Sequence, residues 1–458
     1  MLSFRRTATL LTALLVLGSL TFVAGQGPGT AGYASAGPVD IRYFAPAALN
    51  NSQSGLVLQM PPNSDTDPNA VFMNPTYGLS MFSHSSQGVS RSTLTLPPPT
   101  MPGVNSVPTF FGAFSAEAGV SQGKDFHWIM MGNDPAVGGT TTIPAPVVEV
   151  SLQLLNADGS VFKTVPFVNF EGLFLNSPNF QNSTYKSSPT ATQYQDAVQR
   201  ASFNATMNPN WHTILNQTAA DKVTITVPFF VNVQLKNGNV IQARSYFTGT
   251  AGDGNTFTLM LSPLFNFFFD NLVVNEINLG NFVTGGMNIT AWPNVFLFNL
   301  NTNNPNVPGG CCVLGFHTFF EDGGVVPQDR WVTAYASWIS PGIFGGGFQD
   351  VTAVSHELGE AFDDPFVGNA TPNWQFPGVP ANAKVCQANL EIGDPIEVLA
   401  NAVTPVTLGS GFTKHTYHPQ TLVLLPWFFM GATSNALDGA FSFPDETALP
   451  NSAVPCPQ

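Results

Sequence analysis

The run Val354-Ser355-His356-Glu357-Leu358-Gly359-Glu360-Ala361-Phe362-Asp363-Asp364-Pro365 decides how this chain is read. It sets a histidine and a carboxylate four positions apart, with a second carboxylate directly after the histidine. On a helix of ~3.6 residues per turn, His356 and Glu360 stand ~40° apart and face one cation. The pattern is a variant of the zinc-peptidase motif, with glutamate where the second histidine usually stands.

A helix predicted over residues 350–364 divides by chemistry. Val351, Val354, Leu358, Ala361 and Phe362 share one side and suit a core. Thr352, His356, Glu360 and Asp363 share the other and suit an ion. Glu357 sits ~100° from His356, the place for a general base beside the ion. Asp350 is the expected N-cap, and Pro365 ends the helix.

Two ligands do not make a stable site, so a third must come from another segment. Leu390-Glu391-Ile392-Gly393-Asp394-Pro395 is the nearest acidic source. Glu391 is the first choice, Asp394 the second and Asp363 the third. His317, His415 and His418 are further candidates as ligand or transition-state donor. His418, in the polar loop Tyr417-His418-Pro419, is the one taken as catalytic. The expected cofactor is a divalent metal, Zn²⁺ first. A histidine with two carboxylates neutralises the ion more than two histidines with one carboxylate would, which brings in the harder Mn²⁺ or Ca²⁺.

The whole chain sets limits on this reading. It has 458 residues and a formal net charge of −14, with no Lys/Arg cluster past the N-terminus. An acidic surface of that kind repels phosphate backbones and excludes nucleic-acid binding. Only 9% of residues are charged, while 42 glycines and 38 prolines predict many turns rather than long helices. Arg5 and Arg6, the apolar stretch over residues 10–23, and the small Ala24 and Gly25 have the order of an export signal. No later apolar run reaches the length of a membrane span. In an exported chain, Cys311, Cys312, Cys386 and Cys456 predict disulfides. The preferred first bridge joins Cys311 or Cys312 to Cys386, since a bridge between neighbours is strained.

These signals divide the chain into a signal peptide (1–25), a Pro/Gly/Ser-rich arm (26–105), a β-rich domain (106–300) and a metal-site region (301–458). In the third part, residues 147–154 and 223–227 alternate as strands do, and residues 231–241 read as a hairpin. Its one predicted helix covers residues 192–203. In the fourth part, Cys311 to His317 and Trp331 to Ile339 are predicted strands. The fold class is therefore α+β: a β-rich N-terminal part, then a zincin-like mixed sheet carrying the metal-site helix. Tyr335, Trp338, Trp374 and Trp427 have the types of a sugar-stacking platform, but a chain this rich in aromatics must bury most of them.

The segments "VSHELGEAFDDPFVGNATPNW" and "CQANLEIGDPIE" resemble a group of secreted proteins from soil bacteria. More distantly they resemble the EXORDIUM/phosphate-induced family of plant cell walls, which carries a similar His-Glu-x-x-Glu, an Asn-Pro or Asp-Pro stop, a tryptophan, and then Glu-Ile-x-Asp. "CCVLGFHTFF", "TQYQDAVQRASF" with "NWHTIL", and "YHPQ" with "PWFF" resemble segments of the bacterial group. The resemblance implies that His356, Glu357, Glu360, Asp364, Glu391 and Asp394 belong to a shared motif. It also implies an extracellular setting, without implying proteolysis.

Together the readings predict a secreted, metal-dependent, peptidase-like hydrolase acting on an extracellular peptide or cell-wall polymer. The rival is a non-catalytic extracellular protein with a structural ion or none.

Overall fold

The computed structural model describes residues 104–456 except 236–237, 322–327, 346, 379–385, 398 and 400, together with the short strand Val57–Gln59. The expected signal peptide and most of the arm lie outside the described residues.

The centre is a mixed sheet. Its strands are β1 (Thr140–Leu155), β2 (Val161–Val165), β3 (His212–Val227), β4 (Met287–Pro293), β5 (Gly315–Glu321) and β6 (Gln328–Trp338). The order runs β5-β6-β4-β1, with β3 along the far edge of β1 and β2 beside its end. β6, β4, β1 and β3 are mutually parallel. β5 closes one edge antiparallel to β6, with His317 opposite Ala334.

Side-chain alternation gives this sheet two buried faces. Ile143, Ala145, Val147, Ile289, Ala291, Ala334 and Ala336 line one core. Val148, Val150, Leu152, Leu154, Phe316 and Tyr335 line the other. A sheet covered on both faces needs a layer on each side. Helix α1 (Ser262–Asn278) supplies one, with Phe265, Phe268, Phe269 and Leu272 in the second core. Helix α2 (Thr352–Asp363) supplies the other, with Val354, Leu358, Ala361 and Phe362 in the first. The small residues Ala334 and Ala336 on β6 let α2 lie close to the sheet. Burying each large apolar side chain is worth about 1.5–3 kcal/mol, so Leu358→Ala would cost about 2–5 kcal/mol.

Strands dominate and helices are few, which agrees with the α+β class. The sheets do not divide near residue 300, however. β4 comes from before that point, and its neighbour β6 comes from after it. A second sheet likewise joins Val295–Leu300 to Pro308–Val313. The predicted strand from Cys311 to His317 is two strands that break at Leu314 and enter different sheets. The helix Tyr194–Ser202 and the hairpin strands Phe230–Gln234 and Val240–Arg244 lie where the sequence placed them. Val57–Gln59 adds a parallel strand to that hairpin.

The disulfides correct the sequence reading. Cys386 pairs with Cys456, at a Cα–Cα distance of 6.0 Å, and Cys311 pairs with its neighbour Cys312. Cys386 begins a strand paired with Ala370–Gln375, and Cys456 N–H donates to Asn373 O on the same ribbon. Cys311 pairs in register with Phe298 in another sheet, so a bridge from it to Cys386 has no local support. Tyr335, Trp338, Trp374 and Trp427 are all buried in the cores, which removes the sugar platform.

Candidate metal centre

Helix α2 is buried along its whole length. One side lies on β5 and β6; the other meets the helix Tyr194–Ser202 and the strand Asp125–Met131. Its polar side therefore faces protein, where the sequence pattern alone would have placed solvent. The N-cap position is Val351, not Asp350. Asp350, at φ 44°, instead accepts from Val351 N–H at 2.5 Å and His418 N–H at 2.8 Å. It ties the start of α2 to the His418 loop.

That loop then supplies Gln420, which fixes His356. Gln420 Nε2 donates to Gly393 O at 2.6 Å, so its Oε1 is the end that faces the imidazole. Oε1 accepts from His356 Nδ1 at 2.9 Å. With a proton on Nδ1, His356 turns Nε2 inward; burial lowers the proton affinity of the ring, but Glu360 and Asp394 carry it well above the usual range when no ion is bound. Nε2 meets Glu360 Oε1 at 3.0 Å and Asp394 Oδ1 at 3.6 Å. Neither approach has hydrogen-bond alignment, and His356 Nε2 and Asp394 Oδ1 are left without a partner. Either a proton on His356 Nε2 or a cation between the three atoms offsets the repulsion among them. Ligands ~2.0–2.1 Å from a tetrahedral ion are ~3.4 Å apart, which these separations match. His356, Glu360 and Asp394 thus form a buried group able to hold a metal ion.

The supports of this group are themselves held. Gly393 N–H donates to Glu360 Oε1 at 3.2 Å, and Gln387 Nε2 donates to Asp394 Oδ2 at 2.6 Å. Such outer contacts orient the ligands. Gly393 packs against the ring itself: a Cβ there would lie 2.5 Å from His356 Nδ1.

A second group shares Glu360. His317 points from β5 toward α2, with Nδ1 at 3.5 Å from Glu360 Oε2 and 3.7 Å from Glu357 Oε2. Its Nε2 lies 3.1 Å from Asp364 O, an atom that can only accept, so Nε2 carries the proton. His317, Glu357 and Glu360 also satisfy the geometry of a cation group.

Electrostatics follow from burial. His356, Glu357, Glu360 and Asp394 are at most 4% exposed. Burial pushes the Glu357 carboxyl above the usual range, while His317 and His356 pull it back. Glu360 also suffers burial, but the charges of His356 and His317 hold it below the usual range. Glu391 is pushed well up by burial and then by the charges of Glu360 and Asp394.

The sequence-predicted residues separate accordingly. His356, Glu360 and Asp394 come together, with Glu357 adjacent. Glu391 is buried nearby, in neither group of convergent atoms among the described residues. Asp363 turns toward Gln199. His418 pairs through Nδ1 with Asp350 Oδ2 at 2.7 Å. The cavity beside the site is lined by Gly315, Thr352, His356, Glu357, Glu397 and Gln420 rather than by His418, because Asp350 holds the His418 ring. That cavity measures about 20 Å³, space for a single water. Sequence reasoning missed Gln420 and Gln387 altogether.

No family model, curated protein or solved structure matches this chain. Among the described residues, no helix is long and apolar enough to cross a membrane.

Proposed function

We propose that this chain is an exported, metal-dependent hydrolase of peptidase-like type. His356, Glu360 and Asp394 hold a divalent cation, and Glu357 acts as general base. The observation that carries the reading is the His356 ring, turned by Gln420 so that Nε2 faces two carboxylate oxygens. The ion would supply Lewis-acid polarisation of a scissile carbonyl. Glu357 lines the one-water cavity beside His356, and its raised proton affinity suits a group that must take up a proton near neutral pH. One imidazole with two carboxylates suits Zn²⁺, with Mn²⁺ or Ca²⁺ as the harder alternatives. The N-terminal basic-apolar-small sequence and the two disulfides support an extracellular setting. Peptides or cell-wall polymers are then the accessible substrates.

One observation favours a second reading, a structural ion in a non-catalytic extracellular protein. The ligands are almost fully buried, and the cavity admits no peptide. The two readings separate in one set of measurements. Purified full-length chain is analysed for bound metal and assayed on an unstructured protein substrate, with and without chelator. On the hydrolase reading, hydrolysis is chelator-sensitive, and Glu357→Gln keeps the ion held by His356 while losing roughly 10²–10⁴-fold in rate. Metal bound without any hydrolysis selects the structural reading. Metal content unchanged in His356→Ala removes the site.

A further inference from the structure

We propose that the centre takes two cations, with Glu360 bridging them. This rests on the reading of the first site and extends it. The first ion is held by His356 Nε2, Glu360 Oε1 and Asp394 Oδ1. The second lies between His317 Nδ1, Glu357 Oε2 and Glu360 Oε2, whose separations of 3.5 and 3.7 Å match those around the first.

Three observations carry the second ion. The first is the orientation of His317. Its Nε2–H donates to Asp364 O, which leaves Nδ1 as the atom aimed at two carboxylates, where a cation can take the place of a proton. The second is the lack of hydrogen-bond partners. His317 Nδ1 and Glu357 Oε2 are buried with none, and the His317 and Glu357 side chains are only 1% and 2% exposed. The third is crowding. Glu391 lies within Coulombic reach of Glu357, Glu360, Asp364 and Asp394 in one buried region, and Glu357, Glu360 and Asp394 have only histidines as ion-pair partners among the described residues.

The topology explains why the two groups meet. Phe316 faces the α1 core, so the next residue of β5, His317, faces α2. Glu357 and Glu360 are three positions apart on α2 and share the side presented to β5. Gly315 is part of the same device, since a Cβ there would lie 2.6 Å from Glu357 Oε1. Glu357 is left with Oε2 toward the second ion and Oε1 toward β5, so one carboxylate can both ligate and accept a proton. Paired ions sharing a carboxylate stand ~3.5–4 Å apart and clamp both sides of a displacement at a carbonyl or phosphoryl centre.

The test is stoichiometry and spin coupling on the full-length protein. Apoprotein prepared with chelator is titrated calorimetrically with Zn²⁺ and, separately, loaded with Mn²⁺ for electron paramagnetic resonance. Two Zn²⁺ per chain and an exchange-coupled Mn²⁺ signal are expected. In His317→Ala, and in His317→Gln as a milder replacement, the count should fall to one and the signal become that of isolated Mn²⁺. One ion per wild-type chain, lost in His356→Ala and kept in His317→Ala, overturns the second site while leaving the first. No ion in the wild-type chain overturns both. The wild-type count decides the matter even if a His317 variant fails to fold.

Discussion

His356 Nδ1 donates to Gln420 Oε1 at 2.9 Å, across 64 residues of chain. This contact, more than the spacing within α2, sets the direction in which His356 Nε2 points. Without an acceptor at Gln420 the ring is free to change tautomer or rotate, and Nε2 no longer has to face Glu360 and Asp394. Losing an outer-shell partner of this kind typically costs 10–100-fold in metal affinity. Gln420→Ala should therefore weaken Zn²⁺ binding by about that factor without abolishing it. Gln420→Glu keeps the acceptor for Nδ1 but sets an oxygen against Gly393 O, where Nε2 now donates at 2.6 Å, so it should restore the affinity only in part. Competition against a chromogenic chelator measures both. Equal affinity in wild type and Gln420→Ala would mean that the ring is oriented by something else.

Gly393 touches the other side of the same ring. A Cβ at this position would lie 2.5 Å from both Nδ1 and Cε1 of His356, closer than any real contact. The Gly393 amide is already committed to Glu360 Oε1 and its carbonyl to Gln420 Nε2. The ring must therefore move in Gly393→Ala, at a strain cost of about 1–3 kcal/mol. Melting temperature should fall, and metal affinity should fall further than in Gln420→Ala. Gly378→Ala serves as a control: it has room, with Leu399 Cδ2 at 3.7 Å, but a positive φ of 74°. It should lose stability without losing metal. Unaltered Zn²⁺ affinity in Gly393→Ala would show that His356 is not confined there.

The centre was legible in part because its chemistry is local. His356, Glu357 and Glu360 fall within one turn of α2, and helical spacing alone predicts their convergence. Asp394 was legible as a nearby acid, yet choosing it over Glu391 needed the turn at Gly393, which carries Asp394 toward the ring. Gln420 was not legible, because its role is a single long-range hydrogen bond with no periodic signature. Helix α1 was missed for a different reason. Its sequence, with Phe265, Phe267, Phe268, Phe269, Leu272, Val273 and Val274, is apolar on nearly every side. A helix with apolar residues on both its buried and its half-buried sides has little amphipathic period to detect, and β-branched and aromatic residues imitate a strand. The disulfides failed because pairing depends on which strands meet, and the sequence holds no measure of that.

The Cys386–Cys456 bridge closes a segment 70 residues long that contains the Glu391–Glu397 ligand segment and Gln420. Chain-entropy arguments give about 4 kcal/mol for a loop of that size, with measured values more often 2–4 kcal/mol. Replacing both cysteines, Cys386→Ser with Cys456→Ser, should lower stability by roughly that amount in denaturant titrations. The same variant should bind metal more weakly, because Asp394 and Gln420 both lie within the freed loop. The bridge lies at the ends of the segment, so saturating Zn²⁺ should recover part of the lost stability by mass action. A variant with unchanged midpoint and unchanged affinity would show that the loop is held by packing alone.

Asp363 and Asp364 end α2 as buried acids, each with its pKa pushed up to about 7, chiefly by burial. In the unfolded chain each titrates near 3.9. Between those values the folded state holds protons that the unfolded state has released, so stability falls as pH rises through the window. The contribution is fully present below about pH 4 and gone above about pH 7. Each tenfold difference in proton affinity is worth about 1.4 kcal/mol, which makes the slope large enough to measure. In chelator, the melting temperature of wild type should decline from about pH 4 to pH 7, and Asp363→Asn should flatten that decline by removing one of the two titrations. Asp363 is the better residue to replace, since Asp364 accepts from Gly368 and Asn369 N–H groups at 2.9 Å and an amide would break one of them. Bound cations act in the opposite direction, because they favour the charged forms of Glu360 and Asp394. With saturating Zn²⁺ the decline should therefore be smaller than in chelator. A melting temperature that rises with pH across this window in the apoprotein would show that Asp363 and Asp364 are charged in the fold.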